Sequence, residues 1–142
     1  MLEQFRMVQR FRVPFSDCDM LRHVNNVAYV LWAEHIRCEY FVDVLGEDLM
    51  GERGMILAQL EIVYERPIFY RERVAVGCRV SRIGNKSFDF ICEVWSEDRE
   101  LRCAYLTTRM VAMNYLTEQT IAVPDAWRER IAAFELPSAA AT

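Results

Sequence analysis

Residues 16–45, SDCDMLRHVNNVAYVLWAEHIRCEYFVDVL, decide how this chain is read. The opening third packs two Asp, a Cys, a His and two Asn together. The remainder is almost continuously apolar. From Val24 to Leu45 the run is too long and too evenly apolar for a strand, which usually has about five or six residues. Its polar members, Glu34, His35, Arg37, Glu39 and Asp43, are few and dispersed. The pattern predicts a helix buried on most sides and stopped near Gly46. The polar cluster then lies at the N-terminus of that helix.

Outward from this stretch the period is two. Phe5, Met7, Phe11, Val13 and Phe15 stand at odd positions with Arg6, Arg10 and Arg12 between them, as in a half-buried strand that Pro14 brings to its end. Beyond the loop EDLMGERG, Ile56, Ala58, Leu60, Ile62 and Tyr64 share one face, with Gln59, Glu61 and Glu65 on the other. ERPIFYRE is a connection around Pro67. Val74, Val76, Cys78 and Val80 form the next apolar face. Gly84-Asn85 reads as a tight hairpin turn, since both residues tolerate positive φ. Phe88, Phe90, Cys92 and Val94 mark the returning strand. LRCAYLTTRMVAM, apolar on both faces, reads as a long strand that is central or covered by a partner. VPDAWRERIAAFE is a short amphipathic helix with Pro124 in its first turn.

The expected order is strand, long helix, then an antiparallel meander of four strands. This is an α+β fold in which a curved antiparallel sheet wraps one long central helix. The edges and outer face of such a sheet are commonly hidden by oligomerisation. One domain over residues 1–136 is expected, with 137–142, PSAAAT, as a disordered tail.

Composition narrows the function. The 142 residues are 53% apolar, which suits one core and argues against disorder. A net charge of −4 argues against a nucleic-acid partner, whose phosphates need a dense basic surface. No apolar run reaches the roughly 18 residues of a membrane span, so no membrane partner is expected. MLEQFRMVQR lacks the apolar core of a signal peptide. Cys18, Cys38, Cys78, Cys92 and Cys103 are scattered and never spaced C-x-x-C, which reads as reduced thiols in a cytoplasmic protein. No metal site is signalled.

A helix start carries unpaired N–H groups and the positive end of the helix dipole. It can polarise a carbonyl oxygen that becomes an oxyanion under attack. An acid beside it can attack that carbonyl or take a proton from an attacking water. Each polar residue also has a structural reading. Asp17 fits a turn or a pair with Arg12. Asn25 and Asn26 fit caps of the loop. His23 fits a hydrogen-bonded loop position. A Cys18–His23 nucleophile pair and an Asp17–Asp19–His23 metal set are the other chemical readings. Glu34 and Arg37, three apart, fit a buried pair.

DCDMLRHVNNVAYVLWAEHIR resembles the signature of hot-dog-fold thioesterases of the 4-hydroxybenzoyl-CoA thioesterase-like group. That pattern is roughly D-x-D-x-x-G-H-V-N-N-x-x-Y with an aromatic and an acid beyond it. Here it is met by Asp17, Asp19, His23, Val24, Asn25, Asn26 and Tyr29, then Trp32 and Glu34. LEIVYERPIFYRERVAV, RIGNKSFDFICEV and PDAWRERI are similar to later segments of the family. The resemblance runs from about Phe5 to Ile131. One position departs: Arg22 stands where the family usually has Gly.

The resemblance implies hydrolysis of an acyl-CoA thioester to a free acid and CoA. It implies a hot-dog homodimer or homotetramer with active sites at the subunit interface. Asp19 takes the place of the catalytic acid, as nucleophile or general base. His23, Asn25 and Asn26 take the loop and oxyanion positions. Arg82 and Lys86 are candidates for the CoA phosphates, with Ser87 and Tyr29 as further substrate contacts. No cofactor is implied, coenzyme A being part of the substrate. Two other functions stay open at this point: a thioesterase acting on an acyl-carrier protein, for which the Arg-rich YERPIFYRER could dock an acidic partner, and an acyl-CoA-binding hot-dog domain without turnover.

Overall fold

The long helix, α1 (Asn26–Asp43), starts at Asn25, whose extended backbone and side chain form an N-cap; its Oδ1 accepts the Val27 N–H at 2.8 Å. At the other end the Val44 and Leu45 amides both donate to the Tyr40 carbonyl, and Gly46 turns the chain away at φ +70°. These details come from a computed structural model, which describes residues 1–135. The tail expected over 137–142 lies outside the described residues.

Six strands form one antiparallel sheet: β1 (Met7–Arg12), β2 (Arg53–Tyr64), β3 (Arg73–Ile83), β4 (Ser87–Ser96), β5 (Leu101–Asn114) and the short β6 (Gln119–Thr120). Their order is β1-β3-β4-β5-β2, with β6 on β5. The meander therefore holds three strands, not four. β2 lies on the far side of β5, and the 65–72 connection carries the chain back past the start of α1, where the Val24 N–H meets the Ile68 carbonyl at 2.8 Å. Alternation shows that a strand is half-buried; it does not say which neighbour it pairs with. Among the described residues β2 has a free outer edge.

One face of α1 packs on the sheet. Ala28, Tyr29, Ala33, Ile36, Tyr40 and Phe41 are buried, as are the facing side chains Val76 and Cys78 of β3, Phe88 and Phe90 of β4, and Leu106 and Met110 of β5. The opposite face is open: Val27 is 61% and Leu31 55% exposed, and Val42, Glu34 and His35 are exposed with them. The helix is thus covered on one side rather than most. Glu34 and Arg37 do not share burial either, for Arg37 is buried and Glu34 exposed.

Three local departures have identifiable causes. A bulge between Leu57 and Gln59 shifts the phase of β2, so Leu60 and Ile62 pack on the core while Ile56 and Ala58 are exposed. Phe5 leaves the odd-numbered face of β1 because the chain turns at Leu2–Phe5; it covers the outer side of the sheet with Leu2 and Ala75, over Gly77. Phe15 sits on a single 3-10 turn and is exposed. The β3–β4 hairpin forms where expected, but neither Gly84 nor Asn85 has positive φ, and the Gly84 amide meets the Ser87 carbonyl across a longer turn.

The helix α2 (Asp125–Phe134), begun by Pro124 at its cap, closes the far end of the barrel-like core. Trp127 packs edge-on against Phe41 and Phe88, and its Nε1–H donates to Glu47 at 2.8 Å. Among the described residues no helix is long and apolar enough to cross a membrane.

Candidate active site

The loop between β1 and α1 closes on itself before the helix begins. Cys18 and Val24 form an isolated antiparallel bridge; inside it the Asp19 N–H donates to the His23 carbonyl at 3.3 Å and the Arg22 N–H to the Asp19 carbonyl at 3.1 Å. So tight a turn puts Arg22 at φ +70°. That conformation costs a residue with a Cβ about 1–2 kcal/mol. It is the position where the family pattern has Gly. The Asp19 Oδ1 accepts the Leu21 N–H at 2.8 Å; among the described residues no donor takes Oδ2. The carboxylate is half-buried at the loop edge.

Asp17 has a different task. Its Oδ2 accepts the Trp32 Nε1–H at 2.9 Å, and its carbonyl accepts the Asn25 N–H at 2.7 Å. These bonds tie the loop to the start and second turn of α1, in place of the Arg12 pairing; Asp17 also stands in the 3-10 turn Phe15–Asp17, as the turn reading has it. His23 Nδ1 lies 2.9 Å from its neighbour's carbonyl, that of Val24. Asp17, Asp19 and His23 therefore do not converge as metal ligands. Burial, then the charges of Asp17 and Asp19, push the Cys18 thiol up, which makes a thiolate nucleophile there unfavourable.

Beside this loop is an open cleft of about 210 Å³, lined by His23, Asn26, Tyr29, Tyr64, Arg66 and Pro67 among others. Asp19 is not among the lining residues; its loop reaches the cleft through His23. The Tyr64 hydroxyl donates to the Asn26 carbonyl at 2.7 Å, and its ring meets Tyr29 edge-on at 5.1 Å. Tyr29 continues an aromatic row through Trp32 to Phe11, with centroids 5.3 and 5.0 Å apart. Burial pushes the Tyr29 hydroxyl up to about 12, so it stays protonated. The Asn25 Oδ1 is engaged as the cap. Among the described residues no backbone acceptor takes the Asn26 N–H, which leaves it as the donor at the helix start.

The family model of the thioesterase-like superfamily matches residues 13–131, which span the loop, the helix and the strands that carry this cleft. The chain belongs to the thioesterase-like superfamily. Its hot-dog fold is shared with solved structures. The PA5185 protein from Pseudomonas aeruginosa is 25% identical, with 96% of each chain covered and a TM-score of 0.86. A thioesterase from Thermus thermophilus, solved in complex with coenzyme A and zinc, is 29% identical, with 96% of this chain and 99% of that one covered and a TM-score of 0.83. A curated relative, the uncharacterized protein YsmA of Bacillus subtilis, is 27% identical over 86 residues, which are 58% of this chain and 56% of that protein. The match thus spans about half the length of that relative.

Within this thioesterase-like chain the other sequence-predicted residues lie far from Asp19. Arg82, Lys86 and Ser87 are at the β3–β4 hairpin, which α2 holds through Arg128 Nη2 to the Gly84 carbonyl at 2.7 Å and the Val123 N–H to the Asn85 carbonyl at 2.8 Å. That is the C-terminal end of α1, whose 18 residues put it about 27 Å from the start. Arg82 approaches Asp89 at 3.8 Å, and the Lys86 side chain is exposed. One subunit does not bring these cations to the loop. The residues missed from sequence are Tyr64 and Arg66. Tyr64 was readable only as one more apolar position of β2, and Arg66 only as part of a charged connection; the Asn26 carbonyl contact depends on how that connection folds back over α1.

Proposed function

We propose that this protein hydrolyses an acyl-CoA thioester to a free acid and CoA, with Asp19 as the reacting carboxylate. The observation that supports the reading is the half-buried Asp19, with one oxygen fixed by the Leu21 amide and the other, among the described residues, without a donor, on the closed loop that leads into the start of α1, where the Asn26 N–H is unpaired. Asp19 attacks the thioester carbon or takes a proton from the attacking water. Either route moves negative charge onto the carbonyl oxygen, where the Asn26 amide and the helix dipole stabilise it. The C–S bond then breaks; on the base route the CoA sulfur takes up the proton that Asp19 removed from water, and on the nucleophilic route it takes a proton from solvent and leaves an acyl–Asp19 anhydride that a water molecule hydrolyses to the free acid and the carboxylate. Asp17 shapes the loop and takes no part in the chemistry.

A second subunit supplies the cations. The free edge of β2 and the exposed Val27–Leu31 face of α1 support pairing of two copies into one sheet. Ile56 pairs with Val111, and Val111 with Ser87, so the Lys86 hairpin lies level with the Ile56 end of β2. Tyr64 and the Asp19 loop lie at its other end. Antiparallel pairing of two β2 edges about a two-fold axis sends the hairpin of each subunit toward the loop end of its neighbour. Arg82 and Lys86 then serve the CoA phosphates of the adjoining site. No cofactor takes part.

The test is thiol release from acyl-CoAs of varied chain length by wild type, Asp19→Asn and Cys18→Ser. Release by wild type and Cys18→Ser, with a loss of about a hundred- to ten-thousandfold in Asp19→Asn, is the expected result. Full activity in Asp19→Asn refutes the assignment. Binding of CoA esters with no release from any of them would make this a binding domain instead.

A further inference from the structure

The outer edge of β2 runs between two exposed apolar clusters. At its Tyr64 end the Asp19 loop presents Met20, 98% exposed, and Leu21, and Val27 follows on the first turn of α1. At its Arg53 end the turn between α1 and β2 presents Leu49 and Met50, the latter 91% exposed, and Tyr115 and Leu116 follow the end of β5. Apolar side chains scattered singly over a surface are ordinary. Two clusters at the two ends of one unpaired strand are not scattered.

Met50 does not sit on a slack loop. Its amide donates to Asp48 Oδ1 at 2.8 Å, the Gly51 amide donates to the Asp48 carbonyl at 2.9 Å, and the Glu52 carbonyl accepts the Tyr115 N–H at 2.7 Å. The turn is thus built to hold a large apolar side chain outward. β2 has 12 residues, about 40 Å of strand, so the two clusters do not meet within one subunit. Antiparallel pairing of two β2 edges about a two-fold axis lays each cluster on the other, because every contact in such an interface recurs with the roles exchanged. Charge agrees with that pairing: exposed Arg22 follows Leu21 at one end, and exposed Asp48 and Glu52 flank Leu49 and Met50 at the other. A foreign protein would need only one of the clusters, whereas a second copy uses both.

Resting on the thioesterase reading above, we infer that each site is finished by its neighbour: Leu49 and Met50 of the partner subunit cover the cleft beside Asp19 and form the wall against which the acyl group lies. Within one subunit this cleft is open, with His23, Tyr29 and Tyr64 among its walls. The missing wall is apolar, so the acyl group is apolar where it meets it. A methionine is unbranched and adapts its shape to what it packs against. The partner's Met50 is therefore a specificity residue for a reaction whose carboxylate stands on the other chain.

The test joins two damaged subunits. Asp19→Asn and Met50→Glu are co-expressed with different tags, and the hybrid dimer is isolated through both. On its own Met50→Glu is expected to lose about tenfold or more in kcat/KM on the acyl-CoA that wild type uses best. In the hybrid the intact Asp19 of one chain faces the intact turn of the other, so about half of the wild-type activity returns, one of the two sites being whole. Hybrid activity no higher than that of Met50→Glu overturns the inference. So does Met50→Glu with wild-type kinetics, or an active wild type that sediments as a monomer; all three leave the thioesterase reading intact. Met50→Ala, which adds no charge, is the second variant and decides the matter where Met50→Glu fails to pair. It opens the wall and raises kcat/KM for longer acyl chains relative to shorter ones severalfold; an unchanged chain-length profile overturns the inference. Release of thiol by wild type from no acyl-CoA removes the thioesterase reading itself, and this inference with it.

Discussion

The two ends of α1 are built from similar materials to opposite effect. At the C-terminal end Trp127 is fully buried, its indole N–H is taken by Glu47, and the Tyr40 hydroxyl and the Val80 amide both donate to the Glu135 carboxylate, at 2.6 and 2.9 Å. Every one of these polar groups has a partner, and the end is sealed. At the N-terminal end the Asp17 carboxylate and the Asn25 Oδ1 are satisfied in the same way, yet among the described residues Asp19 Oδ2 and the Asn26 N–H have no partner, and a cleft opens beside the helix start. The sealed end contributes stability, and the open end holds groups in readiness.

That contrast can be broken at several points. The largest effect belongs to the sealed end: Trp127→Ala removes the aromatic plug and lowers unfolding free energy by about 3–5 kcal/mol, read from denaturant midpoints. A loss under about 1 kcal/mol would mean that the plug is not what closes the core. Next comes Tyr29. Its folded value of about 12 lies above the ordinary phenol value near 10. The unfolded chain therefore gives up this proton first. The associated stability is complete below pH of about 10 and is lost as pH rises toward 12, worth at most about 3 kcal/mol. Melts of Tyr29→Phe should fall less steeply than wild type across that window. A parallel fall would remove Tyr29 from the explanation.

Asp17→Ala strands the Trp32 indole N–H and should destabilise by about 1–3 kcal/mol, since the loop loses its tie to the helix. The smallest effect is at Arg22. Arg22→Gly relieves the left-handed backbone and should stabilise by about 1 kcal/mol; destabilisation would show that the Arg side chain makes a compensating contact.

Much of this contrast was legible in the chain. The period-two runs located β1 to β5, and the polar cluster before Val27 located the helix start. The Gly preference of the family pattern foretold the backbone strain at Arg22. Other features were hidden for physical reasons. The bulge at Ala58 reverses the phase of β2 without any break in apolar content, so Ile56 looked buried. The jump of β2 to the far side of β5 is a matter of edge pairing, about which alternation is silent. Val27 and Leu31 are as apolar as Tyr29, so only the position of the sheet separates the covered face of the helix from the open one. Arg82 and Lys86 were selected for their charge, and a single subunit keeps them a helix length from Asp19. Tyr64 and Arg66 reach the cleft only because the 65–72 connection is pinned to Val24.

The most direct measurement sets the two aspartates side by side. Asp17→Ala and Asp19→Asn are each followed by thermal unfolding and by thiol release from a CoA ester that wild type hydrolyses. The account predicts a lowered Tm with partial activity for Asp17→Ala. For Asp19→Asn it predicts a Tm close to wild type and activity reduced by two orders of magnitude or more, as for loss of a general base. A stable, fully active Asp19→Asn beside an inactive Asp17→Ala would contradict it.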